Sequence, residues 1–192
     1  MDVNFKILNV YFDIKKLQQA TNELFTKMSW KQHIVKGLCM TQIPGDPSSA
    51  DGDKLRGVFY TKPDSTGEEV QREEAIDESK YTEFVEEFKG TYFEEVYNIL
   101  TLYYKIGRMR LLLLEPRTSL SWHRDPEPRI HIPIMTNPGA HLCIDDKLKH
   151  LPADGRVWFT DTRNYHTVFN GGEENRIHLV ITYLGKKNDS KK

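Results

Sequence analysis

The tetrapeptide Trp122-His123-Arg124-Asp125 sets a histidine and an aspartate two positions apart. On an extended segment residues i and i+2 project to the same side, so this imidazole and this carboxylate can meet one ion. His166 follows 43 residues later, just after the strand-like run Arg156 to Thr162. Two imidazoles and one carboxylate make the facial set that holds Fe(II) and leaves adjacent positions open for substrate and O2. A His-x-Asp tripeptide alone occurs by chance in loops, so its weight depends on what surrounds it.

Arg176 supplies that context. It opens the run Arg176-Ile177-His178-Leu179-Val180-Ile181, ten residues beyond His166. If Ile177, Leu179 and Ile181 face an apolar layer, Arg176, His178 and Val180 face the other side, the lumen of a small barrel. A guanidinium there requires an anion, because an unpaired buried charge costs several kcal/mol. With the opposite parity Arg176 would pair on the surface with Glu173 or Glu174. The run Arg129-Ile130-His131-Ile132-Pro133-Ile134 repeats the alternation and sets Arg129 and His131 on one face. A metal-chelating ligand with a carboxylate at each end, such as 2-oxoglutarate, accounts for both arginine positions. His141 and His150 lie beside Asp145-Asp146 and a Lys-rich stretch, and read as ordinary loop or strand-end residues.

These residues need strands to hold them. After Gly107 the pattern is that of successive short strands: Met109 to Leu114, Arg129 to Ile134, Arg156 to Thr162 and Arg176 to Leu184. Asn137-Pro138-Gly139, Pro152-Ala153-Asp154-Gly155 and Asn170-Gly171-Gly172 are the turns between them, which predicts an antiparallel barrel or sandwich. Upstream, Phe5 to Val10 reads as a strand and Asp13 to Lys27 as an amphipathic helix capped by Asp13. Gly37 to Ile43 and Lys54 to Tyr60 read as strands, and the Pro/Gly/Ser-rich loop from Ile43 to Asp53 between them is a candidate lid. From Glu68 to Leu102 apolar residues recur at steps of three and four, which predicts helices lying on one outer face. Glu83, Glu86, Glu87, Glu94 and Glu95 would be their solvated side.

The chain of 192 residues suits a single domain, with residues 1–106 buttressing a metal-binding core at 107–185 and a flexible tail at 186–192. Lys+Arg 27 against Asp+Glu 28 gives a net charge of −1, which leaves no basic field for nucleic acid. A mean hydropathy of −0.61 and the lack of a long apolar run exclude a membrane span. Cys39 and Cys143 are the only cysteines, and Met1 to Lys16 has no continuous apolar stretch, so a reducing cytoplasm is the expected compartment. Six of the seven histidines fall between His123 and His178, which puts the chemistry in the C-terminal third.

The ordered set Trp122-His123-Arg124-Asp125, Arg129-Ile130-His131-Ile132-Pro133, Asn137-Pro138-Gly139-Ala140, Trp158 to Arg163, His166 to Asn170 and Arg176 to Val180 resembles the aspartyl/asparaginyl β-hydroxylase-like branch of the Fe(II)/2-oxoglutarate dioxygenases. That branch includes hydroxylases of free proline. The resemblance implies a mainly β fold with flanking helices around a double-stranded β-helix (cupin-like jelly-roll) core. It implies His123, Asp125 and His166 as iron ligands, Arg176 on the distal carboxylate of 2-oxoglutarate, and Arg129 and His131 at the chelating end. The activity implied is hydroxylation of an unactivated C–H of an amino acid, free or in a protein side chain, releasing succinate and CO2. Two features depart from the branch. The aspartyl/asparaginyl hydroxylases themselves lack the metal carboxylate that Asp125 provides, and His178 stands where many superfamily members carry Ser. Two other readings remain open: a cupin metalloenzyme that uses the same ligands without 2-oxoglutarate, and a non-catalytic cupin that binds an organic acid.

Overall fold

The computed structural model describes residues 3–27, 36–51, 61–71 and 76–187. The expected strand Lys54 to Tyr60, the loop end at Gly52 and Asp53, and the tail beyond Lys187 lie outside the described residues. In chain order the elements are β1 (Phe5–Tyr11), α1 (Ile14–Lys27), β2 (Lys36–Cys39), β3 (Thr41–Gln42), β4 (Thr61–Pro63), β5 (Glu69–Gln71), β6 (Glu83–Phe84) and α2 (Tyr92–Tyr103). There follow β7 (Tyr104–Leu114), β8 (Thr118–Ser119), β9 (Arg129–Met135), β10 (Ala140–Ile144), β11 (Lys147–Lys149), β12 (Arg156–Thr160), β13 (His166–Asn170) and β14 (Arg176–Lys186). No helix among them is long and apolar enough to cross a membrane.

Six strands form one sheet in the order β1-β12-β9-β14-β7-β2, and four form a second, β11-β10-β13-β8, all paired antiparallel. The alternation read from the sequence decides what each face of the large sheet meets. Ile130, Ile132, Ile134, Ile177, Leu179 and Ile181 enter one core with Leu17 and Leu24 of α1 and Phe93, Val96 and Leu100 of α2. Each such side chain contributes about 1.5–3 kcal/mol by leaving water. On the other face Leu114 and Trp158 join Leu142, Ile144 and Val168 of the small sheet in a second core. The two sheets close on each other through that second core as a double-stranded β-helix, and the helices lie outside the large sheet. The fold is mainly β.

α1 begins where Asp13 Oδ1 accepts from the Lys15 and Lys16 amides at 2.9 and 3.2 Å. The helical expectation for Glu68 to Leu102 holds only for α2; residues 72–75 lie outside the described set. The rest is β5, β6 and single 3-10 turns at Glu78–Lys80 and Glu86–Phe88. Phe84 and Phe88 still reach the helix-side core at a step of four, but from a two-residue strand paired to β3 and a turn. Gly90, at φ +75°, then breaks the chain before α2. The expected strand Gly37 to Ile43 splits at Met40 into β2 and β3. The described part of the candidate lid is pinned: the Ser49 hydroxyl donates to Asp46 O and accepts from the Ile43 amide, and the Tyr81 hydroxyl donates to Ser49 O.

Candidate metal centre

His123 and His166 face each other as an isolated antiparallel bridge, with mutual backbone hydrogen bonds of 3.0 and 2.8 Å. The Asp125 amide, one pleat further on, donates to Thr162 O at 2.9 Å. His123 and Asp125 therefore project together, as the two-residue spacing predicts, toward a histidine on the neighbouring strand. One ligand atom from each of the three lies within 4.8 Å of the others. The imidazole centroids are 4.3 Å apart, and His166 Nε2 is 3.7 Å from Asp125 Oδ2. Both Nδ1 atoms face backbone carbonyls, His123 at 2.6 Å from Ser121 O and His166 at 3.1 Å from Asn164 O. A carbonyl only accepts, so each Nδ1 carries the proton and each Nε2 offers its lone pair to the shared point.

The electrostatics keep Asp125 and His166 in ligating form. Burial, followed by Arg129 and then the two histidines, acts on Asp125; burial alone would raise its carboxyl, but the neighbouring cations hold it below its ordinary value. Burial lowers His166 and outweighs the pull of Asp125. Arg129 itself is nearly buried. Its Nε lies 3.2 Å from Asp125 Oδ2, and its Nη1 lies 3.4 Å from Glu127 Oε2 and donates to Thr182 Oγ1 at 3.1 Å.

The lumen continues away from the triad past His131 to Arg176. In register, Thr182, Val180 and His178 of β14 oppose Arg129, His131 and Pro133 of β9, so these side chains share one face. Arg176 is 4% exposed, which excludes the surface pairing; Glu173 pairs instead with Arg117 at 2.9 Å. Arg176 Nη2 donates to His178 Nδ1 at 2.8 Å, and among the described residues no carboxylate lies against it. Burial alone brings its guanidinium down to about 9. His131 and His178 are held neutral, chiefly by burial and next by Arg176. Among the described residues, Nδ1 of His131 and Nε2 of His178 are buried without a partner.

Other residues of the site escaped the sequence reading. Arg110, within the strand-like run Met109 to Leu114, is buried on the lumen side of β7 opposite Val180, and burial with Arg108 and Arg129 nearby lowers it to about 10. The alternation Arg108-Met109-Arg110-Leu111 is the signal that could have found it. Arg108 is buried against Glu78, whose Oε2 accepts the Arg108 amide and whose Oε1 accepts Nε. Trp122 is half exposed and stacks on Tyr165 at 6.3 Å, outside the pocket, whereas Trp158 is buried in the inter-sheet core. His141 and His150 pair with each other at 5.9 Å, apart from the triad.

Iron and 2-oxoglutarate can be tested against these groups. Two imidazole nitrogens and a carboxylate oxygen on one side of a point suit a divalent iron with open positions. A buried guanidinium without a carboxylate, with two orphaned imidazole nitrogens nearby, suits a ligand that carries an oxyanion into the lumen. Both groups fit.

The chain is similar to several known proteins. A 2OG-Fe(II) oxygenase-family oxidoreductase from Burkholderia pseudomallei shares 15% identity with the chain, covers 95% of it and 84% of its own length, and superposes with a TM-score of 0.56, which is a likeness of fold. A prolyl-4-hydroxylase from Pseudomonas putida matches at 8% identity over 94% and 91% of the two chains, TM-score 0.46. The collagen prolyl hydroxylase of Paramecium Bursaria Chlorella virus-1 matches at 10% over 93% and 96%, TM-score 0.47. No curated protein matches the sequence. The family model for aspartyl/asparaginyl β-hydroxylase matches residues 79–184, more than half of the chain. That span runs from the turn after Glu78 to Leu184 in the last strand and takes in every residue of the lumen described above, and the chain belongs to the aspartyl/asparaginyl β-hydroxylase family.

Proposed function

We propose that the protein is an Fe(II)- and 2-oxoglutarate-dependent oxygenase that hydroxylates an unactivated C–H of an amino acid, free or as a protein side chain. The observation that carries this reading is the pairing, in one lumen, of a two-histidine, one-carboxylate cluster with a buried guanidinium that has no protein carboxylate of its own. The same guanidinium favours a diacid cosubstrate over a reading in which the three ligands work without 2-oxoglutarate. Membership of the aspartyl/asparaginyl β-hydroxylase family makes Asp- and Asn-bearing substrates the first guide to what is hydroxylated.

His123, Asp125 and His166 would hold the metal through Nε2, Oδ2 and Nε2. When bound, iron with 2-oxoglutarate and O2 supplies the oxidising power for C–H hydroxylation, with succinate and CO2 as by-products. The chain's own residues place, neutralise and dry the reactants. Arg176 would take the distal carboxylate, with His178 Nδ1 fixing the rotation of its guanidinium. His131 stays neutral, so it adds hydrogen-bonding capacity near the chelating end without adding charge. Leu114, Leu142, Ile144 and Val168 exclude water from the wall of the lumen.

Anaerobic addition of Fe(II) and 2-oxoglutarate should produce the weak visible charge-transfer band of the chelate. Free proline and Asp- or Asn-containing peptides should be screened first for a perturbation of that band, then for succinate formed in step with a product one oxygen heavier. A chain that gives no band at millimolar 2-oxoglutarate, or consumes none with any substrate, would refute the reading.

A further inference from the structure

Arg129 is a guanidinium in the lumen that meets two carboxylates. It touches Asp125 through Nε at 3.2 Å and Glu127 through Nη1 at 3.4 Å, while the Thr182 hydroxyl accepts from Nη1 at 3.1 Å. Its side chain is 5% exposed, and its partners come from its own strand's approach and from β14. The oxygen it holds is Oδ2, the same atom that lies 3.7 Å from His166 Nε2 and so faces the metal point. A carboxylate oxygen has lone pairs for both an N–H and a metal, and an outer partner of this kind sets the ligand's rotation.

Charge decides whether such a partner helps or competes. Arg129 alone beside Asp125 would cancel the negative charge that attracts a dication. Glu127 on the other edge of the guanidinium removes that cancellation: Arg129 and Glu127 together are neutral, and Asp125 keeps its charge for the ion.

We infer that Arg129 is a positioning residue for Asp125, clamping the metal carboxylate in its ligating rotation with Glu127 as the counter-charge, so that its part in iron binding precedes any contact with 2-oxoglutarate. The inference rests on the proposed iron site and adds a role that the resemblance alone does not imply.

Cobalt(II) binding, followed by its visible d–d spectrum and by calorimetry without 2-oxoglutarate, tests it. Arg129→Gln should weaken cobalt about 10–100-fold, the usual effect of losing an outer-shell partner. Its saturated spectrum should shift toward that of Asp125→Ala. Glu127→Gln, at a partly exposed residue, should fold normally and weaken cobalt binding in the same direction. A folded Arg129→Gln with cobalt affinity within threefold of the parent, losing only 2-oxoglutarate affinity, would make Arg129 a cosubstrate ligand and overturn the inference. Should Arg129→Gln fail to fold, Glu127→Gln decides: unchanged cobalt affinity and spectrum overturn it, and weakened affinity supports it. If the parent itself binds no cobalt, the proposed iron site falls, an outcome separate from failure of the clamp.

Discussion

Replacing Arg176 by Met should make the ligand-free protein more stable while removing its response to 2-oxoglutarate. The guanidinium is 4% exposed and burial depresses it from its ordinary value to about 9, which corresponds to about 5 kcal/mol against the charged form as an upper measure. Water and relaxation reduce such penalties, and exchanging buried ionic groups for apolar ones of similar volume gains about 1–4 kcal/mol. Loss of the hydrogen bond to His178 offsets about 1 kcal/mol of this. The net gain of up to about 3 kcal/mol raises the melting temperature of a chain this size by about 2–4 °C per kcal/mol, so by up to about 6–12 °C. The parent should respond in the opposite sense to ligand, because a hundredfold excess of 2-oxoglutarate over its dissociation constant adds about 2.7 kcal/mol. Thermal melts with zinc in place of iron, with and without the diacid, read both effects. An Arg176→Met protein that melts below the parent, or that still gains stability from 2-oxoglutarate, would refute the assignment of this arginine to an anion from outside the chain.

Three further outcomes follow from other contacts. Glu78→Gln breaks a buried ion pair with Arg108; the Arg108 guanidinium overcomes burial to hold the Glu78 carboxyl at about 2 against its ordinary 4.5, which amounts to about 3 kcal/mol. Because the folded value is the lower one, this contribution is complete above about pH 4.5 and is lost as the pH falls toward 2, so the parent's advantage in melts at pH 7 should shrink with acid. Asp125→Ala should abolish the visible band with Fe(II) and 2-oxoglutarate and stop succinate release, with far-UV circular dichroism unchanged. Gly139→Ala would bring a Cβ to 2.5 Å from Gly172 N, a backbone atom that cannot step aside, and should lower stability by about 1–3 kcal/mol in denaturant titrations.

The placement of β7, β9, β12 and β14 was legible from their strand-like runs and the turn signals between them, whereas β8, β10, β11 and β13, the whole of the second sheet, are too short or too polar for their pattern to mark them. The isoleucines of β9 and β14 reach the helix-side core, and this fixes Arg129, His131, Arg176 and His178 on the opposite face by parity alone. The spacing of His123, Asp125 and His166 was enough to bring them together, since one pleat separates the first two and a backbone bridge joins the third. Glu78 was not legible. It lies in an acidic stretch whose other described members are exposed, and its partner Arg108 is thirty residues away, so composition reads it as one more solvated carboxylate. The helical spacing before Gly90 misled for a related reason. Steps of three and four bring Phe84 and Phe88 to a core from a 3-10 turn as well as from a helix, and the competing demand, pairing of β6 with β3, is long-range.

Glu78 also explains how two arginines two residues apart on β7 take different partners. Between the pairs Ile181–Met109 and Tyr183–Ile106 β7 spends three residues against two on β14, a bulge at Gly107-Arg108. On a regular strand Ile106 would share the lumen face with Arg110; the extra residue instead returns Ile106 to the helix-side core along with Met109. The Arg108 amide turns to Glu78 Oε2, and the carboxylate accepts the guanidinium as well. Gly107 makes this approach possible, since a Cβ there would lie 2.6 Å from Glu78 Oε2 and 2.9 Å from Glu78 O. The bulge thus draws Arg108 into a protein ion pair and leaves Arg110 opposite Val180, on the row that also carries His131. A substitution that straightened β7 would change the charge facing the metal point without touching any of its three ligands.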